Sequence, residues 1–145
     1  MSFRTFAFLC WLILLVNGCA KPQSLYARIG GQPVIDIVAG NFTNEISFSN
    51  TIFPYFSETN VDKFQASLAT HLCDVAGGPC SYTGDSMQQV HAGMQITKND
   101  FNKVVELLQI AMKKAGVAYP LQNELIAKLA PMRKDIIESK NNDKR

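Results

Sequence analysis

Met87-Gln88-Gln89-Val90-His91-Ala92-Gly93-Met94 is the stretch on which the reading of this chain turns. Met87 and His91 stand four residues apart, so one or two turns of helix place both on the same face. A histidine among apolar residues is ordinarily a satisfied core or surface side chain. No cysteine or carboxylate stands near His91 to complete a zinc site. A lone imidazole on a short apolar turn does suit haem iron, because the porphyrin supplies four ligands and the protein needs to supply one. Phe64, Leu68 and His71 recur at i, i+4 and i+7, a stripe on which a flat apolar cofactor could rest.

Outward from this turn the pattern is all-α. Val34, Ile35, Val38, Phe42 and Ile46 recur at helical spacing after Pro33, which a helix start tolerates. Gly40 marks a close helix crossing. Asn60 caps a second helix with an apolar face of Val61, Phe64, Leu68, Leu72 and Val75, stopped by Gly77-Gly78-Pro79. Thr97 and Asp100 open a third helix lined by Phe101, Val104, Leu108 and Met112 up to Gly116. A fourth is expected from about Leu121 to Ile137, with Leu125, Ile126, Leu129, Met132 and Ile136 inward and a kink at Pro131. No stretch alternates as a strand and no repeat occurs. Residues 138–145 form a polar tail.

The 145 residues suffice for one domain. Charged residues make up 18% and the net charge is +2, which excludes a disordered tail and a strongly basic nucleic-acid binder. Residues 1–18 read as a signal peptide: Arg4 is the one charge before an apolar run from Phe6 to Val16. That run is shorter than the about 20 residues of a membrane span. It ends in Val16-Asn17-Gly18-Cys19, which resembles a bacterial lipobox; a plain secretory signal is the alternative. On the lipobox reading Cys19 carries lipid, residues 19–24 form a linker, and residues 25–137 form the domain. No aspartate follows Cys19, so nothing signals retention at the inner membrane of a two-membrane cell, and the periplasmic side is expected.

With Cys10 in the leader and Cys19 acylated, Cys73 and Cys80 remain. They are not a CxxC pair, and no second pair is present for zinc. In an oxidising compartment the spacing predicts a disulfide, with Gly77-Gly78-Pro79 turning the chain back.

Taken together these segments resemble the truncated haemoglobins, specifically group 1, over nearly all of residues 24–137. The resemblance rests on Leu25-Tyr26-Ala27-Arg28-Ile29-Gly30-Gly31, Asn41-Phe42, Pro54-Tyr55-Phe56-Ser57, Gly77-Gly78-Pro79, Tyr82-Thr83-Gly84, the run from Met87 to Thr97, and Leu129-Ala130-Pro131-Met132. It implies a two-over-two helical sandwich around one haem b. His91 matches the proximal iron ligand, Phe56 a residue packed on the haem face, and Phe42 one beside the distal pocket. Lys63 and Tyr82 match propionate contacts, although Lys63 reads equally as a solvated first-turn lysine. Met87, Ile96, Phe101 and Met132 match apolar pocket positions. Where many relatives carry a tyrosine that donates to bound oxygen, this chain has Thr43, and Phe64 and Leu68 replace polar distal residues. The distal donor is then Thr43, His71 or water, and His71 is either a rim residue or a sixth ligand.

The function implied is binding of oxygen, nitric oxide or carbon monoxide at an extracytoplasmic, lipid-anchored site. The alternatives are a haem redox enzyme (nitric oxide dioxygenase or peroxidase-like, with an unidentified reductase) and a six-coordinate electron carrier using His71. Membrane-extracted protein is expected to have a mass starting at Cys19 plus acyl chains, and Cys19→Ser to release it or block processing. A mature chain beginning elsewhere contradicts the lipobox reading.

Overall fold

The computed structural model describes residues 22–137. The leader, Cys19 and the tail 138–145 lie outside the described residues. The chain runs through α1 (Leu25–Ile29), α2 (Gly31–Ser47), a 3-10 turn (Phe53–Phe56), α3 (Val61–Val75), α4 (Met87–Val90), α5 (Lys98–Lys114), α6 (Tyr119–Leu129), a second 3-10 turn (Ala130–Met132) and α7 (Arg133–Ile136). The fold is all-α. α2 packs on α3 and α5 on α6, while α2–α5 and α3–α6 contacts join the two pairs. This is the two-over-two arrangement.

Local chemistry fixes the boundaries. Ser24, Asn60 and Thr97 each accept a bond from a first-turn N–H of the helix that follows, satisfying donors that would otherwise be orphaned. At Gly30 the backbone is left-handed (φ 118°) and an added Cβ would lie 2.6 Å from Val34. Only glycine allows α1 to turn so abruptly into α2.

The core joins Ile35, Val38, Phe42 and Ile46 of α2 to Leu72 and Cys73 of α3, Leu108 and Met112 of α5, and Leu125 of α6. Asn41 Nδ2 donates to the Ala111 carbonyl across the α2–α5 contact at 3.2 Å, and buried Gln122 donates to the Val117 carbonyl at 2.8 Å. Gly40 lies against Gln65 of α3, which an added Cβ would meet at 3.5 Å. The crossing expected there is present, at ordinary contact distance.

Three expectations need correcting. The fourth helix begins at Tyr119 and ends at Leu129; the chain then passes through the 3-10 turn at Pro131 into the short α7. Proline has no N–H to continue the ladder, so a tighter turn replaces the expected kink. Val61 is 56% exposed. The buried residues of α3 (Ala69, Leu72 and Cys73) all belong to its C-terminal half, so its first turn overhangs the core. Finally, α1 and the Phe53–Phe56 turn, both too short for periodicity to reveal, add to the four helices.

Asp100 ties two of these pieces together. Its Oδ2 accepts from Thr97 Oγ1 (2.6 Å), Thr97 N (2.9 Å) and Tyr55 Oη (3.0 Å). The cap of α5 is thereby fastened to the turn that carries Phe56. The Thr97 hydroxyl, then the Thr97 N–H and Tyr55, hold the Asp100 carboxyl below its ordinary value of 3.8, against an opposing effect of burial. A depressed folded value gives stability that is present above the unfolded value and lost as pH falls through the folded one. Tyr55→Phe removes one charge-assisted bond and is expected to cost about 1–2 kcal/mol at neutral pH. That deficit should shrink in melts below pH 3.8. A deficit independent of pH contradicts the tie.

Candidate functional site

His91 follows a single helical turn. Ser86 caps α4 reciprocally with Gln89, which stabilises a helix otherwise too short to persist. His91 is its C-cap, and the chain leaves through left-handed Gly93 (φ 78°) and Gln95 (φ 54°). α7 packs on α4. His91 Nδ1 lies 2.7 Å from the Met87 carbonyl. A carbonyl only accepts, so Nδ1 carries the hydrogen and the neutral ring keeps its lone pair on Nε2, the nitrogen available to a metal.

Two apolar surfaces stand half-open, and the first packs against the core cluster without being closed into it. On α3, Phe64, Leu68 and His71 are half-buried. Phe56 meets Phe64 edge to face, with ring centroids 5.0 Å apart. The second surface comprises Met87, Ile96, Phe101 and Met132, all half-buried, with Val90 and Met94 more exposed. The Arg133 guanidinium sits 5.4 Å over the Phe101 ring. Apolar surface left open in this way is what a flat apolar ligand would cover. Phe42, by contrast, lies inside the core.

Polar groups at the site are committed in specific ways. Thr43 Oγ1 donates to the Ala39 carbonyl of its own helix at 2.8 Å, so its proton is not offered outward. Lys63 is exposed. The Tyr82 hydroxyl donates to the Asp85 carbonyl at 3.1 Å, and the Tyr82 ring meets His71 edge to face at 4.8 Å. His71 Nδ1 is buried with no hydrogen-bond partner in the structure. Burial pushes the His71 imidazole below the usual histidine value, with Asp74 pulling the other way. Cys73 and Cys80 form a disulfide, with Cα atoms 5.8 Å apart. That pairing is the one their spacing predicts.

Sequence reasoning missed the Tyr55–Asp100 bond and Arg133. The Thr97–Asp100 cap was legible, but nothing local couples it to a tyrosine 45 residues away. The Arg133–Phe101 contact is likewise tertiary.

Residues 24–138 match the model of the bacterial-like globins. The chain belongs to that family. Within these globins it is a truncated haemoglobin, as its relatives show. It is 32% identical to the group 1 truncated haemoglobin GlbN of Mycolicibacterium paratuberculosis over 117 residues, covering 81% of this chain and 86% of that one. It is also 32% identical to GlbN of a Nostoc species over 96 residues, 66% of this chain and 81% of that protein. The Fe(III) form of the Tetrahymena pyriformis truncated haemoglobin superposes with a TM-score of 0.77 at 25% identity, covering 81% of this chain and 100% of that one. The group II truncated haemoglobin of Bacillus anthracis shares the fold, with a TM-score of 0.75 at 21% identity over 86% of this chain and 98% of that one.

A haem-binding function comes with this globin family, and the residues present fit the group. The open apolar surfaces suit a porphyrin, the free Nε2 of His91 suits its iron, and the unpartnered Nδ1 of His71 is a buried polar atom left unsatisfied by the protein alone. Nitrogen-15 NMR of the neutral His91 ring is expected to show a protonated Nδ1 and a bare Nε2. A predominance of the other tautomer contradicts the Met87 bond.

Proposed function

We propose that this globin, of the group 1 type, binds a diatomic gas (oxygen, nitric oxide or carbon monoxide) on haem b held by His91, with the sixth position open. The observation that carries this reading is the His91–Met87 bond of 2.7 Å, which presents Nε2 as a ligand. When bound, the haem supplies the iron at which the gas is taken up. Phe56, Phe64, Leu68, Met87, Ile96, Phe101 and Met132 exclude water and hold the porphyrin by apolar contact. Lys63 and Tyr82 would contact its propionates.

The distal side sets the affinity. No tyrosine stands at position 43, and the Thr43 hydroxyl donates to Ala39. Phe64 and Leu68 offer no donor. Without a donor, the partial negative charge of held oxygen is not stabilised, and release is fast. His71 packs on Tyr82, which favours a rim role over the sixth-ligand role that electron transfer would need. Acylation at Cys19 would fix the domain to a membrane outside the cytoplasm, the compartment in which the Cys73–Cys80 disulfide persists.

Thr43→Tyr is expected to slow oxygen release by roughly tenfold or more, the effect of one donor to a charged acceptor. Stopped-flow release rates check it. Slow release already present in the natural chain, unchanged by Thr43→Tyr, contradicts the donor-free distal side. A ferric spectrum that is low-spin in the natural chain and high-spin in His71→Leu contradicts the open sixth position.

A further inference from the structure

A pair of rings, His71 and Tyr82, is bracketed by the disulfide. His71 lies two residues before Cys73 on α3, and Tyr82 lies two residues after Cys80. The bond between the cysteines brings the two chain segments side by side, and the rings meet edge to face at 4.8 Å. A second link runs parallel: Tyr82 N donates to Asp74 Oδ2 at 3.1 Å. The Tyr82 hydroxyl is fastened to the Asp85 carbonyl at 3.1 Å, and a Cβ on Gly84 would lie 2.6 Å from the Tyr82 ring. Glycine at 84 is thus needed for the ring to occupy its place. These contacts position Tyr82, whose ring meets His71 edge to face.

His71 gains little from that placement as a polar group. Its Nδ1 is buried without a partner, a condition that costs free energy and persists only where surroundings impose it. We propose that the Cys73–Cys80 disulfide is a redox latch on the cleft rim, with Tyr82 as the positioning residue: closed, it holds His71 parked under Tyr82; opened, it releases His71 to move and hydrate. Cys73 is fully enclosed whereas Cys80 is half-buried, so attack comes at Cys80. A thiolate of an external dithiol bonds to Cys80 Sγ as the Cys80–Cys73 bond breaks, and the Cys73 sulfur leaves with the electron pair and takes a proton. The second dithiol sulfur then closes on the first and expels the Cys80 sulfur, which is also protonated. The dithiol loses two electrons and two protons; the two cysteines gain them.

The accessibility of His71 reads the latch directly. Full-length apoprotein is treated with diethyl pyrocarbonate, and carbethoxylation of His71 is timed by peptide mass spectrometry, with His91 as the internal reference. Opening the bridge with dithiothreitol, or removing it in Cys73→Ala/Cys80→Ala, is expected to speed His71 labelling by about three- to tenfold, the range the loss of one aromatic contact allows. Tyr82→Ala is expected to give the same rise with the disulfide intact, while Tyr82→Phe, which keeps the ring, stays close to the natural rate. Circular dichroism confirms that each variant is folded. An unchanged His71 rate in both the reduced protein and the double cysteine variant, when folded, overturns the latch. A rise in Tyr82→Phe equal to that in Tyr82→Ala overturns the role of ring contact. Because the measurement uses apoprotein, it stands or falls independently of haem ligation by His91.

Discussion

The hydrogen bond from His91 Nδ1 to the Met87 carbonyl is the interaction on which the site depends. It spans one helical turn, so it needs a turn that would be unstable alone. The Ser86–Gln89 capping box and the packing of α7 supply that stability. Its consequence is chemical: the bond selects the tautomer and leaves Nε2 bare. A residue whose sequence context is commonplace is given a bare ring nitrogen by a backbone carbonyl four residues earlier.

The fold supports this by leaving apolar surface open. α2 contributes closed-core residues from Ile35 to Ile46, but α3 and α5 place theirs only in their C-terminal halves. Phe64 and Leu68 therefore stand half-open beside Phe56, whose turn Tyr55 fastens to the α5 cap at Asp100. The cost of exposing these side chains is recovered when a flat apolar group covers them. The α2 helix engages the Thr43 hydroxyl with its own Ala39 carbonyl, and the disulfide gathers His71 and Tyr82.

Much of this was legible in the sequence where the cause is local. Asn60 and the Thr97–Asp100 pair announce helix starts because a cap bonds within three residues, and the structure places both there. Cys73 and Cys80 were close enough, with glycines between them, for their pairing to follow from chain geometry. What stayed hidden acts at long range or through direction alone. Val61 has the right spacing for the core, yet α3 overhangs the core at its first turn. Tyr55 meets Asp100 only in the folded chain, and Thr43 could have pointed its hydroxyl at the cleft instead of at Ala39. The shift to a 3-10 turn at Pro131 depends on how the proline is accommodated, which residue type leaves open.

Haemin titration of the purified chain, followed by ferric and ferrous spectra of the natural protein and of His91→Ala, tests the central claim most directly. Stoichiometric uptake is expected, with a nitrogen-ligated ferrous spectrum that His91→Ala loses and added imidazole restores. An unchanged spectrum in His91→Ala would place the iron on another ligand and contradict the account.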